Sequence, residues 1–170
     1  MNALTWMRGY TSAELERAQT RFRRTFPADL IELLRDRRPV GGPDWNNEEI
    51  VRPFLAWPFE GLLFDVEENG LWWTEWGDRP ATAEDRAEVL RQVSGRAPRL
   101  IPIFGHRYLP ATPTRAGNPV FSVYQSDVIH YGADLDDYLD REENGLDCRP
   151  WPEALREIEF WSELVRRNVA

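Results

Sequence analysis

Apolar residues recur along this chain at two spacings. Thr11-x-x-Glu14 has the form of a capping box, and behind it Leu15, Ala18 and Phe22 fall on one face at helical spacing. Pro27 suits a first helical turn and precedes a second stripe of Leu30, Ile31 and Leu34. Thr82-x-x-Asp85 opens a third helix carrying Ala87, Leu90 and Val93, stopped by Gly95. Asp134 caps a short helix with Leu135, Tyr138 and Leu139 inward. Leu155, Ile158, Trp161, Leu164 and Val165 predict a last helix after Pro152, over about 152–167.

Between these helices the pattern reads as strands. Leu62–Val66 and Leu71–Trp76 flank Glu67-Glu68-Asn69-Gly70, and Asn-Gly is a strong hairpin signal because both residues accept positive φ. Leu100–Phe104, Val120–Tyr124 and Val128–Tyr131 are three more strands, with Gln125-Ser126-Asp127 as a tight turn. Pro39–Pro58, containing Gly41-Gly42-Pro43, reads as a long surface loop. The order predicts a single α+β domain over 1–170, an antiparallel-rich mixed sheet of about five to six strands covered by helices.

Composition narrows the function. A chain of 170 residues with 42% hydrophobic and 29% charged residues suits one folded domain rather than a disordered or fibrous chain. No apolar run is long enough to span a membrane, and the N-terminus offers no secretory h-region. Cys148 stands alone, so an internal disulfide is excluded and a reducing, cytoplasmic setting is expected. The net charge of −8 argues against direct binding of nucleic acid, which needs a positive surface.

Charge is uneven. All basic residues are Arg, and residues 1–40 carry eight Arg against five acids, a balance of +3. Residues 60–78 hold six acids and no base, and residues 134–147 hold seven acids against Arg141. The ordinary meaning of such runs is a solvated face; the sharper alternative is a patch for an Arg/Lys-rich partner.

No catalytic constellation stands out. The chain lacks G-x-S-x-G, H-E-x-x-H, a Walker A loop and G-x-G-x-x-G, and its only histidines are His106 and His130. Cys148, between Asp147 and Arg149, has no histidine nearby. No catalytic residue, metal site or cofactor is expected. A binding reading has more support. In a strand, Leu71-Trp72-Trp73-Thr74-Glu75-Trp76 would put indoles on both faces, and an exposed one beside carboxylates would grip a cationic protein. Helices covering both faces would bury them instead.

Several segments together resemble the SMI1/KNR4 (SUKH) family. They are Thr11–Phe26 followed by Pro27-Ala28-Asp29-Leu30-Ile31-Glu32-Leu33-Leu34, then Leu100-Ile101-Pro102-Ile103, Gly117-Asn118-Pro119-Val120-Phe121, and Asp134-Leu135-Asp136-Asp137-Tyr138-Leu139. The resemblance covers about residues 11–142. Arg37-Arg38-Pro39 with Gly41-Gly42 replaces the family's Asn-Gly after the second helix, and Gly105-His106-Arg107-Tyr108 replaces its Gly-Asp turn. The resemblance implies a non-catalytic protein-binding domain, in bacteria an immunity protein that masks a toxin, often a nuclease. The expected contact set is Asp65, Glu67, Glu68, Trp73 and Glu75 with Asp136, Asp137 and Asp140. Trp73→Ala is expected to leave folding intact and weaken binding by about 2 kcal/mol. Two alternatives stand beside it, a scaffold with no toxin partner and a small hydrolase using His106 and Arg107. A homodimer is left open.

Overall fold

The computed structural model describes residues 3–169. Among these residues six helices and six strands form one α+β domain, and every strand pairing is antiparallel. The strands β1 (Trp6–Arg8) and β2 (Arg37–Pro39) make a two-stranded ribbon around α1 (Ser12–Phe22) and α2 (Ala28–Asp36). A four-stranded meander follows in sequence order, β3 (Leu100–Phe104), β4 (Arg107–Pro110), β5 (Val120–Tyr124) and β6 (Asp127–Gly132). The remaining helices are α3 (Glu48–Glu68), α4 (Ala83–Gly95), α5 (Leu135–Asn144) and α6 (Trp161–Asn168). None of the described helices is long and apolar enough to cross a membrane.

Side-chain alternation in the meander explains its three layers. Ile101, Ile103, Leu109 and Val120 point to one face, where α1, α2 and α5 pack with Trp45. Leu100, Tyr108, Phe121, Val123 and Val128 point to the other, against α3, α4 and α6. Both faces are covered, so the core is two slabs divided by the sheet.

The caps read from sequence form. Thr11 and Glu14 make a reciprocal capping box, Thr82 accepts from the N–H of Asp85, and Asp134 accepts from that of Asp137. Asn118 is fully buried: its amide donates to the carbonyls of Pro110 and Pro113 at 2.9 Å, and its oxygen accepts from Arg156 at 2.7 Å.

Five expectations fail. Residues 48–68 are one helix, so the Pro39–Pro58 loop ends at Asn47, whose side chain caps α3, and Leu62–Val66 is not a strand. Val51, Leu55, Pro58, Leu62 and Val66 are its inward stripe at helical spacing. Pro58 has no N–H for the carbonyl of Phe54, one turn back, and the Tyr108 hydroxyl donates to that carbonyl instead, at 2.8 Å. The Asn69-Gly70 pair ends this helix rather than turning a hairpin. Gly70, at φ +69°, lets the N–H of Leu71 reach the Asp65 carbonyl at 3.0 Å.

Leu71–Trp76 is likewise not a strand; it runs into a single 3-10 turn at Thr74–Trp76. The last helix begins at Trp161, not after Pro152. Its approach is irregular because Arg156 is engaged with the carbonyls of Arg115 and Ala116, while Ser162 takes the N–H of Ile158.

Candidate functional site

The acidic residues nominated from sequence do not form one free patch. Asp65 lies inside, on α3, where it accepts from the N–H and hydroxyl of Ser126 at 2.8 and 2.5 Å and from the Asn69 amide at 2.7 Å. Glu67 takes a bidentate bond from Arg86, which ties α3 to α4 and holds the Glu67 carboxyl below its usual range. Glu75 pairs with Arg167 at 2.6 Å, and that hydrogen bond lowers its pKa. Trp73 is half-buried, with Trp76 at 5.0 Å, Phe160 at 5.5 Å and the Arg167 guanidinium 3.9 Å over its ring. The Trp73/Glu75 pair clasps α6, so Trp73→Ala is now expected to loosen that helix rather than to leave folding intact.

The acids of α5 are engaged as well. Asp137 is buried against Arg141 at 2.7 Å and accepts from the N–H of Ala133. Burial pushes its pKa up, but Arg141, the Ala133 N–H and the charge of Arg149 outweigh this and hold it below 3.8. Asp140 pairs with Arg149. Of the eight nominated residues, only Glu68 and Asp136 are exposed and free of an ion pair within the described chain.

The unengaged surface lies along a neighbouring row of α3. Ile50, Phe54, Trp57, Gly61 and Phe64 follow one another at intervals of four, three, four and three residues, a single helical face. Ile50 is 44% and Phe64 49% exposed, large values for such side chains. Beside them Tyr124, at the end of β5, is 50% exposed. His106, on the β3–β4 turn, stacks on Trp57 at 5.1 Å, and Tyr124 meets both rings edge-on at 5.7 and 5.2 Å. Pro53, Phe54, Trp57, His106 and Tyr108 line a recess of about 240 Å³ in this face.

The face is rigidly held. Trp57 Nε1 donates to the Val123 carbonyl at 2.9 Å, and the Val123 N–H donates to the His106 carbonyl at 2.8 Å. Gly61 lets α3 lie against the β5–β6 turn: a Cβ there would stand 2.9 Å from Cα of Gln125. Burial first, and then the charge of Arg107, lower the pKa of His106, so at neutral pH its ring is uncharged and extends the apolar surface.

Arg107 turns to the other face of the sheet and pairs with Glu142 at 3.1 Å. The hydrolase arrangement of His106, Arg107 and a carboxylate is therefore not assembled. Around the aromatic face stand Glu60, Glu68 and Asp127, all exposed and none ion-paired with a described residue. The sequence carried a signal for this face, the second apolar stripe at 50, 54, 57, 61 and 64. It was hidden because the first stripe, one residue out of phase, left α3 with no broad polar side. Set against family models, curated proteins and solved structures, the chain matches none of them.

Proposed function

We propose that this chain is a non-catalytic protein-binding domain of the SMI1/KNR4 type, an immunity protein that neutralises a basic toxin by covering its surface. The observation that carries the reading is the rigid aromatic face of α3, with Phe64, Trp57, His106 and Tyr124 presented together inside a rim of unpaired carboxylates. Large aromatic side chains held in one conformation bind at small entropic cost, and a desolvated centre with a polar rim is the usual anatomy of a protein interface. The rim is acidic and the whole chain carries −8, which selects a cationic partner and speeds its approach.

A nuclease must itself be basic to hold its substrate, so an acidic cover competes with nucleic acid for the same ground. The resemblance in residues 11–142 supports the family part of this reading; the aromatic face replaces the acidic hairpin as its contact surface.

The test is calorimetry against the products of the genes that adjoin this one, with a cationic toxin among them as the expected partner. Phe64→Ser and Tyr124→Ser, at half-exposed positions, should each weaken the complex by about 2 kcal/mol while leaving the thermal midpoint unchanged. Absence of a complex would remove the immunity function, and a complex indifferent to both substitutions would remove this face from it.

A further inference from the structure

One cleft differs in charge from the rest of this acidic molecule. Where the C-terminal ends of α1 and α4 meet the loop after β4, Arg23, Arg24, Arg96 and Arg99 line a recess of about 410 Å³, with Thr25 and Thr112 beside them. Of the other seventeen arginines, ten pair with described carboxylates, among them Arg86 with Glu67 and Arg107 with Glu142. None of these four is ion-paired with a described residue. Glu159 also borders the recess, a single carboxylate facing four guanidiniums.

Part of this gathering has a local cause. Arg24 donates to the carbonyls of Leu100 at 3.3 Å and Phe22 at 2.9 Å, and Arg99 donates to that of Arg23 at 3.0 Å, which satisfies the end of α1 and suits its dipole. Those bonds occupy a minority of the available N–H groups. The side chains of Arg23 and Arg96 donate to no described residue. Arg24 is also half-buried, and burial together with the charge of Arg99 pulls its pKa down to about 10. One half-buried guanidinium, Arg24, thus stands among three exposed ones, Arg23, Arg96 and Arg99, with none of them ion-paired to a described carboxylate.

The recess continues inward. A second one, of about 180 Å³, shares Arg24, Arg99 and Pro98 and runs over Leu55, Phe59 and Trp161. The Trp161 N–H is already given to the Pro98 carbonyl at 2.9 Å, so the indole adds only apolar surface there. Leu55 and Phe59 lie about 200° around α3 from Trp57, so this site is separate from the docking face.

We propose that these joined recesses bind a small phosphomonoester, its phosphate gripped by Arg24, Arg96 and Arg99 and its apolar or planar body laid against Phe59 and Trp161. The guanidinium fork matches a phosphate in two-point contact, which a single ammonium cannot do. A small ligand is favoured over a nucleic-acid strand because recesses of about 410 and 180 Å³ fit one small ester, and the net charge of −8 opposes a long polyanion.

The probes are phenyl phosphate, inorganic phosphate and phenol, titrated calorimetrically into the purified chain at low ionic strength. Phenyl phosphate should bind saturably and about tenfold more tightly than inorganic phosphate, and phenol should not bind, because both recesses are needed. Arg96→Gln with Arg99→Gln should weaken phenyl phosphate at least ~10-fold, while the equal charge change Arg17→Gln with Arg21→Gln, on the exposed face of α1, should alter it less than ~2-fold.

Because the Arg96 side chain bonds to nothing described, Arg96→Gln alone keeps the fold and still weakens binding if the double variant is unstable. Failure of phenyl phosphate to saturate at about 10 mM would overturn the proposal, given the affinities such forks provide. Equal losses in the two double variants, or tighter binding of an oligothymidylate than of phenyl phosphate, would overturn it too.

Discussion

A carboxylate buried with no cation beside it must be satisfied by hydrogen-bond donors, and Asp65 has three, two from Ser126 and one from Asn69. Asp65→Ala would leave these donors without their acceptor and should cost about 2–4 kcal/mol in urea denaturation. A loss under ~0.5 kcal/mol would show that the turn at Ser126 does not depend on it.

His130 acts in the opposite sense. Its ring stacks on Phe121 at 5.1 Å, and Nε2 is buried without a partner. Burial lowers its pKa below 6.5, with Glu157 opposing the shift and Arg166 adding to it. A base whose folded pKa is depressed binds its proton more readily in the unfolded chain, so stability is present above pH 6.5 and is lost as pH falls below it. His106, shifted the same way, adds a weaker contribution from its exposed position. His130→Phe should flatten the stability profile between pH 7 and 5, measured by chemical denaturation at each pH; a variant with the wild-type slope would place the titration elsewhere.

At the scale of elements, helices with a cap and one apolar face were legible. Thr11, Thr82 and Asp134 cap where their spacing to the third following residue says they should. The meander was legible in β3, β5 and β6, while β4, only four residues long and closed by Pro110, carried too little alternation to read. The one serious failure, α3, has a physical cause. Proline and Asn-Gly are local signals of interruption, and both are overridden by tertiary partners: the Tyr108 hydroxyl supplies what Pro58 lacks, and the Asp65 carbonyl receives the chain leaving Gly70.

The candidate site was obscured by the same error, because a strand register assigned Trp73 to a face it does not have. Trp73→Ala should therefore destabilise the chain by about 2 kcal/mol and raise amide exchange throughout α6, measured by mass spectrometry. Unchanged exchange would mean that the Phe160 and Arg167 contacts do not hold that helix. In α5, Arg141 is fully buried, paired with Asp137 and bonded to the carbonyls of Leu146, Arg149 and Pro150, with Trp151 at 3.8 Å. Arg141→Met removes the nearest cation from the buried Asp137 carboxylate, leaving it the Arg149 guanidinium at 3.5 Å, and a loss of about 3 kcal/mol is expected in denaturant unfolding.

Over the whole molecule, charge is divided between bonds made and bonds available. Glu67, Glu75, Asp137 and Asp140 are occupied by arginines, whereas Glu60, Glu68 and Asp127 border the aromatic face without partners. Changing these three to their amides should lower the association rate with a cationic partner by about three- to tenfold, flatten its salt dependence and leave dissociation nearly unaltered. Stopped-flow mixing at several salt concentrations measures this, and an unchanged rate would detach the rim from recognition.

The two apolar rows of α3 lie one residue out of phase. Positions 51, 55, 58, 62 and 66 anchor the interior, and 50, 54, 57, 61 and 64 line the outer side. Codons for the exposed Ile50 and Phe64 can therefore drift, while Trp57, Gly61 and the inner row stay under selection for foldedness. Sister lineages built on this scaffold could exchange one antagonist for another without ever passing through an unstable ancestor.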